Sequence, residues 1–98
     1  MNHDANHSRL TDADRLALKG ISGRHAIREI SAEVCAQTGL SEADLFSMSR
    51  RKDICRARDV VWLVAQREGW SLTDIARTFG RDHTSVLAGI NRELDRRK

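Results

Sequence analysis

The sequence predicts an all-α fold, a compact helical domain of five to six helices. Three observations carry that expectation. Capping residues and glycines cut the chain into helix-length segments, the apolar residues between them recur three and four apart, and no stretch alternates as a strand would. The 98 residues contain no proline and six glycines, so the punctuation rests on glycine and on Ser, Thr and Asp. This length sets one domain, near the low end of what supports its own core.

The elements follow in order. Residues 1–9 are polar and read as a disordered tail, and residues 10–24 as a short helix capped by Thr11, ending near Gly20, with a linker. Residues 25–98 form the domain proper. Its first helix carries Ile27, Ile30 and Val34 on one face and stops at Gly39. Ser41 caps a short helix, Glu42 to Phe46, whose acidic residues suit a first turn. A basic loop, residues 47–52, leads to Asp53, read as the cap of the longest helix. That helix has Ile54, Ala57, Val61 and Val64 at helical spacing and ends at Gly69. Ser71 and Asp74 resemble a capping box for the next helix, which buries Leu72, Ile75, Ala76 and Phe79. Gly80-Arg81-Asp82 is a tight turn into a last helix, His83 to Arg96, with Val86, Leu87, Ile90 and Leu94 as its core stripe. The last two helices form a helix-turn-helix.

Composition narrows the function. No apolar run is long enough to span a bilayer and the start is polar, so the expectation is a cytoplasmic protein with no membrane partner. Cys35 and Cys55 lie in helical apolar patterns and read as buried thiols. His3 and His7 are four apart in a polar tail and read as no metal site. Residues 1–49 hold 5 Lys/Arg against 7 Asp/Glu, whereas residues 50–98 hold 12 against 7. The basic half is the half with the helix-turn-helix, which is what a polyanionic partner requires. No phosphate loop, paired catalytic constellation or metal-ligand spacing is visible, so the chain reads as no enzyme and as needing no cofactor.

The segment Gly80-Arg81-Asp82-His83-Thr84-Ser85-Val86-Leu87 has the make-up of a recognition helix: a turn arginine, a capping aspartate, then polar side chains able to touch base edges. With the basic run Arg50-Arg51-Lys52-Asp53-Ile54-Cys55-Arg56-Ala57-Arg58 and with Ser71-Leu72-Thr73-Asp74-Ile75-Ala76, it resembles the C-terminal DNA-binding domain of the bacterial chromosomal replication initiator, the DnaA family. The resemblance covers residues 26–95, about 70% of the chain. It implies the DnaA C-terminal, Trp-repressor-like fold and a double-stranded DNA partner. The family couples this domain to an ATPase module, and these 98 residues hold no Gly-x-x-x-x-Gly-Lys-Ser/Thr loop, so the expectation is the DNA-reading part standing alone.

The resemblance also implies residue roles. Arg81 reads a base in the major groove, where a guanidinium can donate to guanine O6 and N7 together. Asp82 accepts from a base amino group, besides its expected capping role. His83 contacts a base edge, and Thr84 packs its methyl on a thymine methyl. Ser85 stands where the family usually has a second threonine; losing that methyl weakens one thymine contact by up to about 1 kcal/mol. Arg50 enters the adjacent minor groove. Lys52, Arg56 and Arg58 are candidate phosphate contacts, with Arg51 and Arg67 as weaker ones. Gln66, Asp59 and Ala88 depart from the family pattern, and an Asp59 facing DNA would repel phosphate. Trp62 and Trp70 read as packing residues rather than base stackers.

The leading expectation is a sequence-specific regulator of transcription, with phage or gene-transfer genes among its candidate targets. Two alternatives stand beside it. One is replication control by competition for the initiator's boxes. The other is an interaction module, in which Leu10, Leu16, Leu18 and Ile21 of residues 1–24 dock on RNA polymerase, another regulator or a second copy.

Overall fold

The structure, a computed structural model, describes residues 25–98. The tail and the Thr11-capped helix expected before them lie outside the described residues. Five helices follow: α1 (Ile27–Thr38), α2 (Glu42–Leu45), α3 (Lys52–Arg67), α4 (Leu72–Phe79) and α5 (His83–Arg96). No strand occurs among the described residues. The fold is therefore all-α, as the sequence reads.

α3 is the axis of the domain. Every residue from Ala57 to Ala65 is buried, and a helix buried all round must be surrounded by others. α3 packs against each of the other four helices. Ile27, Ile30 and Val34 of α1 meet it from one side, and Val86 and Ile90 of α5 from another. Phe79 ends α4 in an aromatic cluster. Phe46 stacks on it with ring centroids 4.4 Å apart, and Trp62 meets it edge-on at 5.7 Å. Trp62 is thus a core residue. Trp70 is half-buried, and its Nε1 donates to the His25 carbonyl at 2.8 Å. His25 also gives its backbone N–H to Glu68 and sets Nδ1 2.9 Å from both Glu68 carboxylate oxygens. The start of the described chain is strapped in this way to the end of α3.

Short-range chemistry sets the helix ends. Ser41 Oγ accepts from the Asp44 N–H and Ser71 Oγ from the Asp74 N–H, each at 3.0 Å. α4 stops at Gly80, φ +65°, where the Arg81 N–H donates to Ala76 O and the Gly80 N–H to Arg77 O. This paired closure needs a left-handed residue, which glycine adopts without strain. It turns the chain directly into α5.

Three expectations are corrected. α3 begins at Lys52 with Arg51 at the cap position, so Asp53 lies inside the first turn. Its carboxylate accepts from Arg51 Nη2 at 2.7 Å, and this bond holds the Asp53 carboxyl below its ordinary value. Cys35 is buried, with burial pushing its thiol pKa up, but Cys55 is only half-buried. The buried face of α5 is Val86, Gly89, Ile90 and Glu93, while Leu87 and Leu94 are each 41% exposed. An apolar pattern skips Gly89 and Glu93, and the face is rotated accordingly.

Gly89 explains that rotation. A Cβ there would lie 2.5 Å from Asp59 Oδ1 and 2.5 Å from Trp62 Cε3 and Cζ3. Only a hydrogen lets α5 cross α3 this closely. Gly89→Ala is expected to destabilise the domain by about 1–3 kcal/mol, since both obstructing groups are themselves packed. Thermal unfolding followed by circular dichroism measures this; an unchanged midpoint would show that the crossing has slack.

Candidate nucleic-acid interface

The N-terminal turn of α5 is presented to solvent. Asp82, His83, Thr84 and Ser85 are all exposed, and Val86 behind them is fully buried. Asp82 holds the cap position with extended backbone, φ −74° and ψ 153°, but its side chain makes no capping hydrogen bond. The expected capping role is therefore met by backbone placement alone, and the carboxylate projects from the surface beside His83.

Arg81 lies half-buried in the turn. Its Nη2 donates to the Ser47 carbonyl at 2.8 Å, and its Nε is buried without a partner among the described residues. This bond joins the helix-turn-helix to the basic loop. Arg58 reaches the same loop from α3. Its Nε donates to Leu45 O at 2.9 Å, and its Nη2 donates to Ser47 O at 3.0 Å and Ser49 O at 3.2 Å. Arg58 is only 3% exposed. Burial, followed by the nearby Arg81 charge, lowers its pKa, although an arginine stays charged. Arg58, expected as a phosphate contact, is in this structure an internal brace for the loop. Neutral carbonyls compensate a buried guanidinium because each one is a strong acceptor.

The loop has its own short-range scaffold. Ser47 Oγ donates to Asp44 O at 2.6 Å, Ser47 Oγ accepts from the Ser49 N–H at 3.1 Å, and Ser49 Oγ accepts from the Arg51 N–H at 3.2 Å. Serine side chains replace the missing helix bonds here. Met48 and Arg50 point outward from this scaffold and are exposed.

A groove of about 800 Å³ lies between the loop and the side of α5. Of the expected contact residues, Arg50, Lys52, Arg56, Arg58, Arg81 and Ser85 line it. Arg51 does not; it is paired with Asp53 at the surface. Arg67, exposed at the far end of α3, is not brought there either. Asp82 and His83 share a shallower depression with Arg81 at the tip of α5. Sequence reasoning missed Arg92 and Arg96, which line the groove from α5. Their spacing of four is a usable signal only once the buried face of α5 is known.

Carboxylates inside the α3–α5 seam hold these arginines. Asp59, 1% exposed, accepts from Arg92 Nε at 3.1 Å, Arg92 Nη2 at 3.0 Å and Arg96 Nη1 at 3.1 Å. The expected repulsion of phosphate by an exposed Asp59 therefore does not arise. Glu93, fully buried, accepts from Arg97 Nε at 2.8 Å, Arg96 Nη1 at 3.0 Å and more loosely from Arg56 at 3.3 Å. Burial pushes the Glu93 pKa up, but the bonds from Arg97, Arg56 and Arg96 outweigh it and leave the carboxyl below its ordinary value.

The family described as "Bacterial dnaA protein helix-turn-helix" matches residues 27–92. The chain belongs to this family. The chromosomal replication initiator protein DnaA of Caulobacter vibrioides (strain NA1000 / CB15N) is 39% identical over 71 residues, covering 70% of this chain and 14% of that protein. The DnaA of Gluconobacter oxydans is 36% identical over 77 residues, 76% of this chain and 16% of the relative. That of Bartonella quintana is 35% identical over 82 residues, 82% and 17% respectively. The chain thus spans about a sixth of these relatives or less. No solved structure gives a significant match. Membership in a DNA-binding helix-turn-helix family supports double-stranded DNA as the ligand of this basic face. No helix among the described residues is long and apolar enough to cross a membrane.

Two outcomes test the division of labour among the cations. Arg58→Ala should lower both thermal stability, by at least about 2 kcal/mol for its lost charge-assisted bonds, and DNA affinity. Arg50→Ala should lower affinity with the melting midpoint unchanged. Chemical denaturation alongside a binding titration separates the two. For Glu93 the sign follows from its lowered folded pKa. Its contribution is complete above the unfolded value near 4.5 and is lost as pH falls through the lower folded value. Glu93→Leu, which leaves its arginines uncompensated, should cost roughly 3–5 kcal/mol at neutral pH. It should also flatten the acid limb of the stability–pH curve.

Proposed function

We propose that the chain is a sequence-specific double-stranded DNA-binding protein that regulates transcription. The N-terminal turn of α5 enters the major groove. There His83, Thr84 and Ser85 reach base edges, Asp82 accepts from a base amino group and Arg81 donates to guanine. Arg50 enters the adjoining minor groove, where a narrow groove concentrates negative potential. Lys52 meets phosphate on the way, with Arg51, Arg56 and Arg67 as peripheral contacts.

One observation carries this reading. The exposed polar turn of α5 and the exposed Arg50 sit on a single frame, because Arg81 and Arg58 both bind the Ser47 carbonyl. Two DNA-reading elements fixed relative to each other suit two adjacent grooves of one duplex. Regulation of transcription is favoured over competition for initiator boxes because Ser85 and Ala88, which line the groove, and Gln66 near the end of α3 depart from the family pattern.

Selection from a random duplex pool, followed by fluorescence anisotropy, tests the reading. One enriched sequence is expected, and His83→Ala should lower affinity for it by about tenfold, within the usual 1–3 kcal/mol of a base contact. Affinity should also fall steeply with salt. No enrichment, together with binding unchanged by His83→Ala, would sink the proposal. Equal affinity for initiator boxes and for the selected sequence would favour the competitor reading instead.

A further inference from the structure

The arginines on the groove side of α5 have no role in reading bases, yet they are held more firmly than a solvated surface requires. Arg92 is 53% exposed at its side chain, but its Nε and Nη2 are fixed to the two oxygens of buried Asp59. Its Nη1 has no partner among the described residues. Arg96, 33% exposed, is fixed by Asp59 and Glu93 together. In this seam the guanidiniums of Arg56, Arg92, Arg96 and Arg97 converge on the carboxylates of Asp59 and Glu93. The outer edge of the cluster lines the groove, where the short side chains of Ser85 and Ala88 leave room and Lys52 lines the loop side.

We propose that Arg92 and Arg96 form a phosphate clamp with Lys52, positioned by Asp59 and Glu93, that grips the sugar-phosphate strand running between the two DNA grooves. The proposal rests on the docking described above and adds its third contact. With α5 in the major groove and Arg50 in the minor groove, the strand that separates those grooves must pass through this cleft. A guanidinium carries five N–H donors in a planar fork. Arg92 can therefore keep Asp59 on one edge and offer the other to a phosphate oxygen. Because the buried carboxylate has already fixed the rotamer, little side-chain freedom is lost on binding. Asp59 is thus a positioning residue for DNA binding, although it carries the charge that DNA repels.

The test is a series of anisotropy titrations of the full chain at several salt concentrations, on a selected duplex and on an unrelated one. Arg92→Ala should weaken binding to both duplexes by the same factor. It should also lower the slope of log affinity against log salt by about 1, the loss of one phosphate contact. Arg96→Ala should act in the same direction. Lys98→Ala, outside the groove, controls for net charge. An unchanged slope for Arg92→Ala, or the same drop for Lys98→Ala, overturns the clamp. Asp59→Asn adds a readout that charge alone cannot mimic. It makes the protein more positive, yet it should lower affinity severalfold because Arg92 loses its anchor; a rise in affinity overturns the positioning role. If Asp59→Asn does not fold, by its circular dichroism, the Arg92 and Arg96 slopes decide. Loss of sequence preference in His83→Ala with an unchanged slope in Arg92→Ala defeats the clamp alone. Binding unchanged in both defeats the docking reading with it.

Discussion

The close crossing of α5 over α3 at Gly89 is the constraint on which the rest of the interface depends. Asp59 Oδ1 and the Trp62 ring occupy the space that a side chain at position 89 would fill. This contact does more than bring two helices together. It delivers the Asp59 carboxylate to Arg92 and Arg96 of the opposing helix and encloses Glu93 within reach of Arg56. A helix-turn-helix needs its second helix held at a defined angle to the body, because one degree of freedom there moves every base contact. Here close packing supplies the distance, and directional ion pairs in the turns after Gly89 supply the rotation. A buried ion pair is weak evidence for net stability, since desolvation offsets much of its attraction. Its value in this seam is directional, since a rotation of α5 would carry Arg92, Arg96 and Glu93 away from the partners that neutralise buried Asp59 and Glu93.

The basic loop depends on the same body through a different chemistry. Residues 46–51 make no regular helix, and their conformation is set by serine side chains and by the carbonyls that Arg58 and Arg81 collect. Arg58 extends from buried α3, so the loop takes its position from the core. Arg81 belongs to the turn before α5, so the loop also takes its position from the reading helix. A polyanion meeting this face finds the two elements already ordered, and preorganisation lowers the entropy lost on binding.

Much of the fold was legible in the sequence because its signals are local. Ser41, Ser71 and Gly80 act within four residues, and the spacing of Ile27, Ile30 and Val34, or of Ile54, Ala57, Val61 and Val64, needs only a helix and one buried side. What escaped depends on partners distant in sequence. Arg58 reads as one more cation of a basic run until Leu45, Ser47 and Ser49 are known to surround it. Asp59 reads as a repulsive charge until Arg92 and Arg96, more than thirty residues on, are placed beside it. Leu87 and Leu94 were expected inside because leucine is apolar, while Gly89 and Glu93 hold the buried positions for reasons of size and ion pairing. Asp53 is a strong capping residue, but the chain enters α3 two residues earlier and Arg51 Nη2 bonds its carboxylate at the surface. Of the site, the reading tip of α5 and Arg50 were visible as residue types; the frame that relates them was not.

The charge balance of the face changes meaning once these pairings are known. The C-terminal half carries five more cations than anions, yet Arg58 is buried against carbonyls and Arg56 and Arg97 face a buried carboxylate. A count of basic residues therefore overstates what a phosphate backbone can reach. The most exposed of the cations lining the groove are Arg50 and Lys52 on the loop side and Arg92 and Arg96 on α5. Counterion release depends on the phosphates neutralised, not on net charge. The salt dependence of this domain should accordingly follow that small set, while its base preference follows the tip of α5. On the proposed docking, affinity and specificity therefore fall to different residues of one frame, and Asp59, paired with Arg92 and Arg96, serves the former.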